Sequence, residues 1–155
     1  GEEALEELVD KSQDQIQDAA VVKEKQLVES FFENLKEENG KSEYGLEQVM
    51  KAMEMGAVET VLISEDFNHY RASYRCPNGH ERQVFEEEPE IEDSVSCEEC
   101  GEAMDLEEMT DIVDVMEEKA GQMGSDLEII STDHEQGRRL HNMGGIAAVL
   151  RYRIR

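Results

Sequence analysis

Cys76, Cys97 and Cys100 are all the cysteines of the chain, and they fall with His80 inside one stretch, CPNGHERQVFEEEPEIEDSVSCEECG, residues 76 to 101. Thiolate and imidazole are the donors that hold zinc in tetrahedral sites, and a C-x-x-C turn points two thiolates at one ion. Cys97 and Cys100 make such a turn, with Gly101 behind it to let the backbone fold back. Cys76 opens the facing half-turn. The position where a second cysteine would stand is Gly79, which has no side chain, so His80 is the nearest residue able to complete a Cys3His set, and His69 is the substitute. The expectation is a structural Zn2+ held by Cys76, His80, Cys97 and Cys100, which would hold together a module too small to fold unaided. Three reduced thiols or a Cys97–Cys100 disulfide are the alternatives.

Other chemistry fits the cluster less well. A redox C-x-x-C would leave Cys76 unexplained, and it lacks the helix N-terminus that activates such thiols. A catalytic zinc needs an open coordination position and a base, whereas EEEPEIED (86–93) reads as a solvated hairpin tip. Elsewhere, NMGGIAAVL has neither the lysine nor the glycine spacing of a phosphate loop. No serine stands in a nucleophile elbow. His134 and His141 lie on about one face of an expected helix and read as ordinary helix histidines. The chain is expected not to be an enzyme.

The elements that must position the cluster follow from periodicity. Leu5, Leu8, Val9, Ile16, Leu27, Val28, Phe31, Phe32 and Leu35 recur at three- and four-residue steps, predicting a long amphipathic helix, with one possible break, stopped at Asn39-Gly40. YGLEQVMKAMEMG predicts a short helix ended by Gly56. AVETVLIS and HYRASYRCP predict strands, and the sixteen residues from Glu81 to Ser96 suit two knuckles joined by a β-hairpin with RQVF as one of its strands. DLEEMTDIVDVMEEKAGQMG predicts a helix with Leu106, Met109, Ile112, Val113 and Met116 inward. LEIIS is a strand, TDHEQGRRLHNMGG a helix capped by Thr132 or Asp133, and IAAVLRYRI a last strand. The expected fold is an α/β/α sandwich with a mixed central sheet. It carries a zinc-ribbon-like insert at residues 75–104 within a 40–155 domain, after a helical lead-in at 1–39.

Asp and Glu number 39 against 15 Lys and Arg, for a net charge of -24. Such a surface opposes autonomous nucleic-acid binding, and salt would relieve its self-repulsion, which suggests a halophilic source. No apolar run reaches bilayer length and GEEALEELVD is no signal peptide, so a soluble, cytoplasmic protein without a membrane partner is expected. The absence of Met at position 1 points to an excised fragment.

MGAVETVLISED, the cysteine segment and GSDLEIISTDHEQGRRLHNMGGIAAVLRYRIR together resemble the C-terminal domain of the archaeal and eukaryotic class-1 peptide chain release factor. VVKEKQLVESFFENL looks like that factor's helical lead-in from its middle domain. The resemblance implies a platform that docks an elongation-factor-type translational GTPase and the ribosome-recycling ABC ATPase, with the ribosome as the larger partner. It also implies a core like that of kink-turn-binding ribosomal proteins, and zinc-type cysteines in archaeal members. Codon reading and the Gly-Gly-Gln loop of peptidyl-tRNA hydrolysis belong to the family's other domains. By analogy Gly144, Gly145, Ile146, Leu150, Arg151 and Tyr152 are the partner-contact candidates; core strand and turn is the competing role for them. A Pelota-type rescue factor shares a similar ending but is not expected to have the cysteines; a kink-turn RNA-binding protein is the other alternative.

Overall fold

The computed structural model of the chain describes the backbone of residues 2–154 and the side chains of residues 16 and 18–154. Two compact units emerge, Gly1–Asp66 with Gly124–Arg155, and Phe67–Met123. The residues expected as an insert, 75–104, lie inside the second unit.

The first unit starts with α1 (Glu2–Lys36), a single unbroken helix where one break was possible. Leu5, Leu8 and Val9 lie outside the described side chains. Further along, Val28 and Phe31 are fully buried in a cluster with Leu62, Ile130, Leu140 and Ala147, so the second half of α1 is part of the core. β1 (Ser42–Tyr44) was not expected from sequence. It is anchored by pairing with the last strand and by the Ser42 hydroxyl donating to the Phe31 carbonyl at 2.8 Å. α2 (Leu46–Glu54) buries Val49, Ala52 and Met53. It ends where Gly56 takes a positive φ of 70° and the Gly56 and Ala57 N–H groups close on the carbonyls of Met53 and Ala52, the double bond of a Schellman stop.

β2 (Val58–Ser64), β7 (Asp126–Ile130) and β8 (Ile146–Leu150) complete a sheet ordered β1-β8-β2-β7. β2 runs parallel to β7 and antiparallel to β8, so the sheet is mixed as expected. Leu62 and Ala147 are cross-strand partners and face α1 and α4 (Glu135–Asn142). The alternate residues Val61, Ile63, Ile146 and Ala148 are also buried and must point to the other face, the side left to α2. This double burial is why both strands read as continuous apolar runs.

α4 (Glu135–Asn142) departs from expectation at its start. The N-cap is His134, whose Nδ1 accepts from the Gly137 N–H at 3.0 Å, in place of Thr132 or Asp133. Thr132 instead donates its hydroxyl to Glu65 and Asp66. A Cβ on Gly137 would lie 1.7 Å from the Ser131 carbonyl oxygen, so the β7–α4 turn crosses the helix where only glycine fits. The final strand is shorter than expected, stopping at Leu150.

The second unit is a sheet ordered β4-β3-β6-β5 followed by α3 (Ile112–Met123). Its strands are β3 (His69–Arg75), β4 (Glu81–Glu87), β5 (Ser94–Ser96) and β6 (Ala103–Asp111). Two expectations fail here. Residues 103–111 are strand, so the helix begins only at Ile112, and Leu106 and Met109 sit on β6. Nor does one hairpin join the knuckles: β4 pairs with β3 and β5 with β6, so each knuckle is itself the turn of a hairpin. The acidic run is more than a solvated tip. Glu88–Glu90 form a 3-10 turn, Ile91 packs on a core of Ala72, Tyr74, Cys76, Cys97 and Met104, and the Glu92 carbonyl accepts from the buried Tyr74 hydroxyl at 2.6 Å.

Candidate metal centre

β3 and β6 are antiparallel neighbours, with Arg75 opposite Asp105. The end of β3 therefore lies beside the start of β6, and the turns that follow the one and precede the other are brought together. In the first turn the Gly79 N–H donates to the Cys76 carbonyl and the Cys76 N–H to the His80 carbonyl, both at 3.0 Å. In the second, Gly101 donates to the Cys97 carbonyl at 2.9 Å and Cys97 to that of Glu102 at 2.8 Å. Gly79 and Gly101 take φ of 85° and 75°, and a Cβ on either would touch nothing within 4 Å. Backbone conformation, not space, requires glycine at both.

One donor atom from each of Cys76, His80, Cys97 and Cys100 lies within 4.8 Å of the others. His80 Nδ1 is 3.3 Å from the Cys76 sulfur and 3.5 Å from that of Cys97, and the Cys100 and Cys76 sulfurs are 3.8 Å apart. A tetrahedron with metal–sulfur bonds of about 2.3 Å and a metal–nitrogen bond of about 2.05 Å has edges of about 3.8 Å and about 3.6 Å. Donor set and spacing thus fit a zinc ion. The Cys76 and Cys100 sulfurs are too far apart for a disulfide, and all three cysteines are free.

The thiols differ in their electrostatics. The Asn78 side chain and the Glu102 backbone push the Cys100 thiol down to about 6. The Cys100 backbone acts to lower Cys97, but burial and hydrogen bonding with the other two sulfurs outweigh it and leave Cys97 raised. The His80 N–H donates to the Cys76 sulfur at 3.3 Å, and the far ring nitrogen, Nε2, lies 3.1 Å from a Glu99 carboxylate oxygen. Asn78 and Glu99 were not singled out from sequence; the acidic pair inside C-E-E-C was the available signal for Glu99. His69, the substitute ligand, sits at the opposite end of β3 from Cys76, stacked on Phe67 with ring centroids 4.0 Å apart.

The partner-contact candidates divide. Ile146 and Leu150 are 1% and 2% exposed, and Gly144 and Gly145 form the turn that ends α4, so these four serve core and turn. Arg151 and Tyr152 are exposed, yet each is tied to the turn after α2: Arg151 donates its backbone N–H to the Ala57 carbonyl at 2.7 Å and Tyr152 its hydroxyl to that of Met55 at 3.1 Å. His141 meets the Ser64 hydroxyl at 3.1 Å through Nδ1, and Ser64 is 2% exposed. No helix among the described residues is long and apolar enough to cross a membrane.

This architecture is that of a release-factor C-terminal domain. The structure of the C-terminal domain of the peptide chain release factor from Methanosarcina mazei matches with a TM-score of 0.90 at 34% identity, covering 99% of this chain and 97% of that one. The chain belongs to the eRF1 domain 3 family, which it matches over residues 21–154. Peptide chain release factor subunit 1 of Methanobrevibacter smithii is 36% identical over 99% of this chain, and the chain spans 38% of that relative's length. A model of ribosome-bound archaeal Pelota and ABCE1 gives a TM-score of 0.54 at 28% identity, covering 90% of this chain and 29% of that one.

Proposed function

We propose that the chain is the C-terminal docking domain of an archaeal class-1 release factor, serving translation termination in the cytoplasm by binding partners and not by catalysis. The observation that carries this reading is the two-way coverage with the Methanosarcina mazei domain. Identity and TM-score both favour the release factor over the Pelota-type alternative. The partners are an elongation-factor-type GTPase and the ribosome-recycling ATPase, with the ribosome in the full-length factor; the similarity to a Pelota solved with ABCE1 supports the second. Of the contact candidates, Arg151 and Tyr152 are the two whose side chains reach the surface.

The cysteine-bearing unit is a zinc-ribbon-like module in which Cys76, His80 through Nδ1, Cys97 and Cys100 would hold Zn2+. Bound there, the ion supplies structure: four protein donors leave it no open position for a reactive water. The residues do the rest, Gly79 and Gly101 turning the chain so that donors from two hairpins converge.

Calorimetric titration of the purified chain with each partner tests the docking reading. Binding to the recycling ATPase that weakens at least about tenfold, 1.4 kcal/mol, in Tyr152→Ala is expected, as for an interface tyrosine. Failure to bind either partner would overturn the reading; binding indifferent to Tyr152 would move the contact elsewhere on the domain. Metal analysis tests the other half, with one zinc per chain expected.

A further inference from the structure

The first turn of the metal centre is irregular. Its ligand stands one residue later than in C-x-x-C and on a longer side chain, with two ring nitrogens and free side-chain torsions. Something must choose which nitrogen faces the metal. His80 Nδ1 lies among the sulfurs while Nε2 lies 3.1 Å from Glu99. A neutral imidazole carries one ring proton, and a carboxylate can only accept, so Glu99 keeps that proton on Nε2 and leaves the Nδ1 lone pair for the metal. Glu98, its neighbour, turns instead toward Arg82 at 3.7 Å.

We propose that Glu99 is a positioning residue of the metal centre, reaching from the second turn to orient a ligand carried by the first. The inference rests on the zinc reading above. Carboxylate partners of metal-bound histidines fix the ring and its tautomer in this way. Two turns that each hold only two ligands become one braced unit, and the late ligand is held as firmly as a regular one. The Glu99 side chain is 70% exposed and that of His80 36%. Water and salt therefore screen the bare attraction, and the hydrogen bond and its direction carry the effect. A glutamine, whose carbonyl oxygen can accept the same bond, should replace Glu99 better than an alanine.

The test is zinc affinity of the whole chain by competition with a chromophoric chelator, with the ring tautomer read by long-range proton–nitrogen NMR. Glu99→Ala is expected to weaken zinc by about 10–100-fold, Glu99→Gln to recover most of that, and Glu98→Ala to stay within about twofold of the parent. The parent spectrum should show metal on Nδ1 and the proton on Nε2, and Glu99→Ala should lose the single tautomer. Parent affinity in Glu99→Ala, equal losses in the Glu98 and Glu99 variants, or metal on Nε2 in the parent would overturn the proposal while leaving the zinc site standing. A parent that takes up no zinc removes the zinc reading, and this inference with it.

Discussion

Replacing Phe31 by alanine tests whether α1 belongs to the domain or only leads into it. Phe31 is fully buried against β2, β7, β8 and α4, with Val28 beside it, while Ile16 on the same helix is 68% exposed. Its ring also meets Phe32 edge-on, with centroids 5.0 Å apart. Truncating a fully buried phenylalanine costs about 3–5 kcal/mol, a large part of the roughly 5–15 kcal/mol that keeps a domain folded. With a urea dependence of about 2 kcal/mol per molar, the unfolding midpoint should fall by about 1.5–2.5 M. The assay is urea unfolding followed by circular dichroism at fixed salt and zinc. Hydrogen exchange at the β2 and β8 amides, read in parallel, assigns the transition to the first unit. Ile16→Ala should stay within about 0.5 kcal/mol of the parent. If Phe31→Ala behaves like Ile16→Ala, the helix is a tether and the core described here is wrong.

Gly137→Ala should destabilise by about 1–3 kcal/mol or more, because the added carbon would overlap the Ser131 carbonyl oxygen and backbone cannot yield as a flexible side chain can; an unchanged melting temperature would contradict the close crossing. Tyr74→Phe removes the hydroxyl that donates to the Glu92 carbonyl and should cost about 1 kcal/mol, read by thermal melting of the zinc-loaded chain. Burial and the carboxylates of Glu86, Glu92 and Asp93 raise the Tyr74 phenol above its usual value of 10.0. Its contribution is therefore whole below pH about 10 and is lost as pH climbs through the raised value; alkaline difference spectra of parent and Tyr74→Phe should show Tyr74 ionising above its usual value. Sodium chloride should raise the melting temperature, since a net charge of -24 repels itself in dilute buffer and screening relieves the repulsion; a flat or falling response would reject that account of the acidic surface.

The convergence of Cys76, His80, Cys97 and Cys100 and most elements of the α/β unit were legible because both depend on short-range pattern. Knuckle spacing put His80 forward before any coordinate did, and doubly buried β2 and β8 announce themselves as unbroken apolar runs. Residues 103–111 were misread for a physical reason. Register slips between Ser73 and Tyr74 where they pair with β6, leaving Glu107 without an opposite residue. The alternation of Met104 and Leu106 is thereby broken, and Leu106, Met109 and Ile112 fall at the three-residue step of a helix. β1 was missed because three polar-to-aromatic residues carry no periodicity; it is a strand only because β8 and α1 stand beside it. The capping role of His134 was hidden because Thr132 and Asp133, better N-cap formers, precede it; the Thr132 hydroxyl is drawn off by Glu65 and Asp66, and the Asp133 backbone N–H donates to the Ser131 hydroxyl. What Glu99 does was hidden for a related reason, since it depends on a turn distant in sequence.

β2 and β7 are parallel, and the stretch between them is the second unit. Parallel strands cannot be joined by a tight turn; their connection has to travel back along the sheet. The cysteine-bearing unit is thus no ornament hung from a surface loop but the return path itself. For chain entropy this is a lenient arrangement. Each doubling of a flexible connection adds only about 0.6 kcal/mol to the cost of closing it, so if the return path melted on losing its ion, β2 and β7 would still find each other at small expense. The sheet of the first unit should therefore outlive loss of a metal from the second, and a bacterial expression host starved of zinc should yield a chain whose first unit is folded and whose connecting stretch is protease-sensitive.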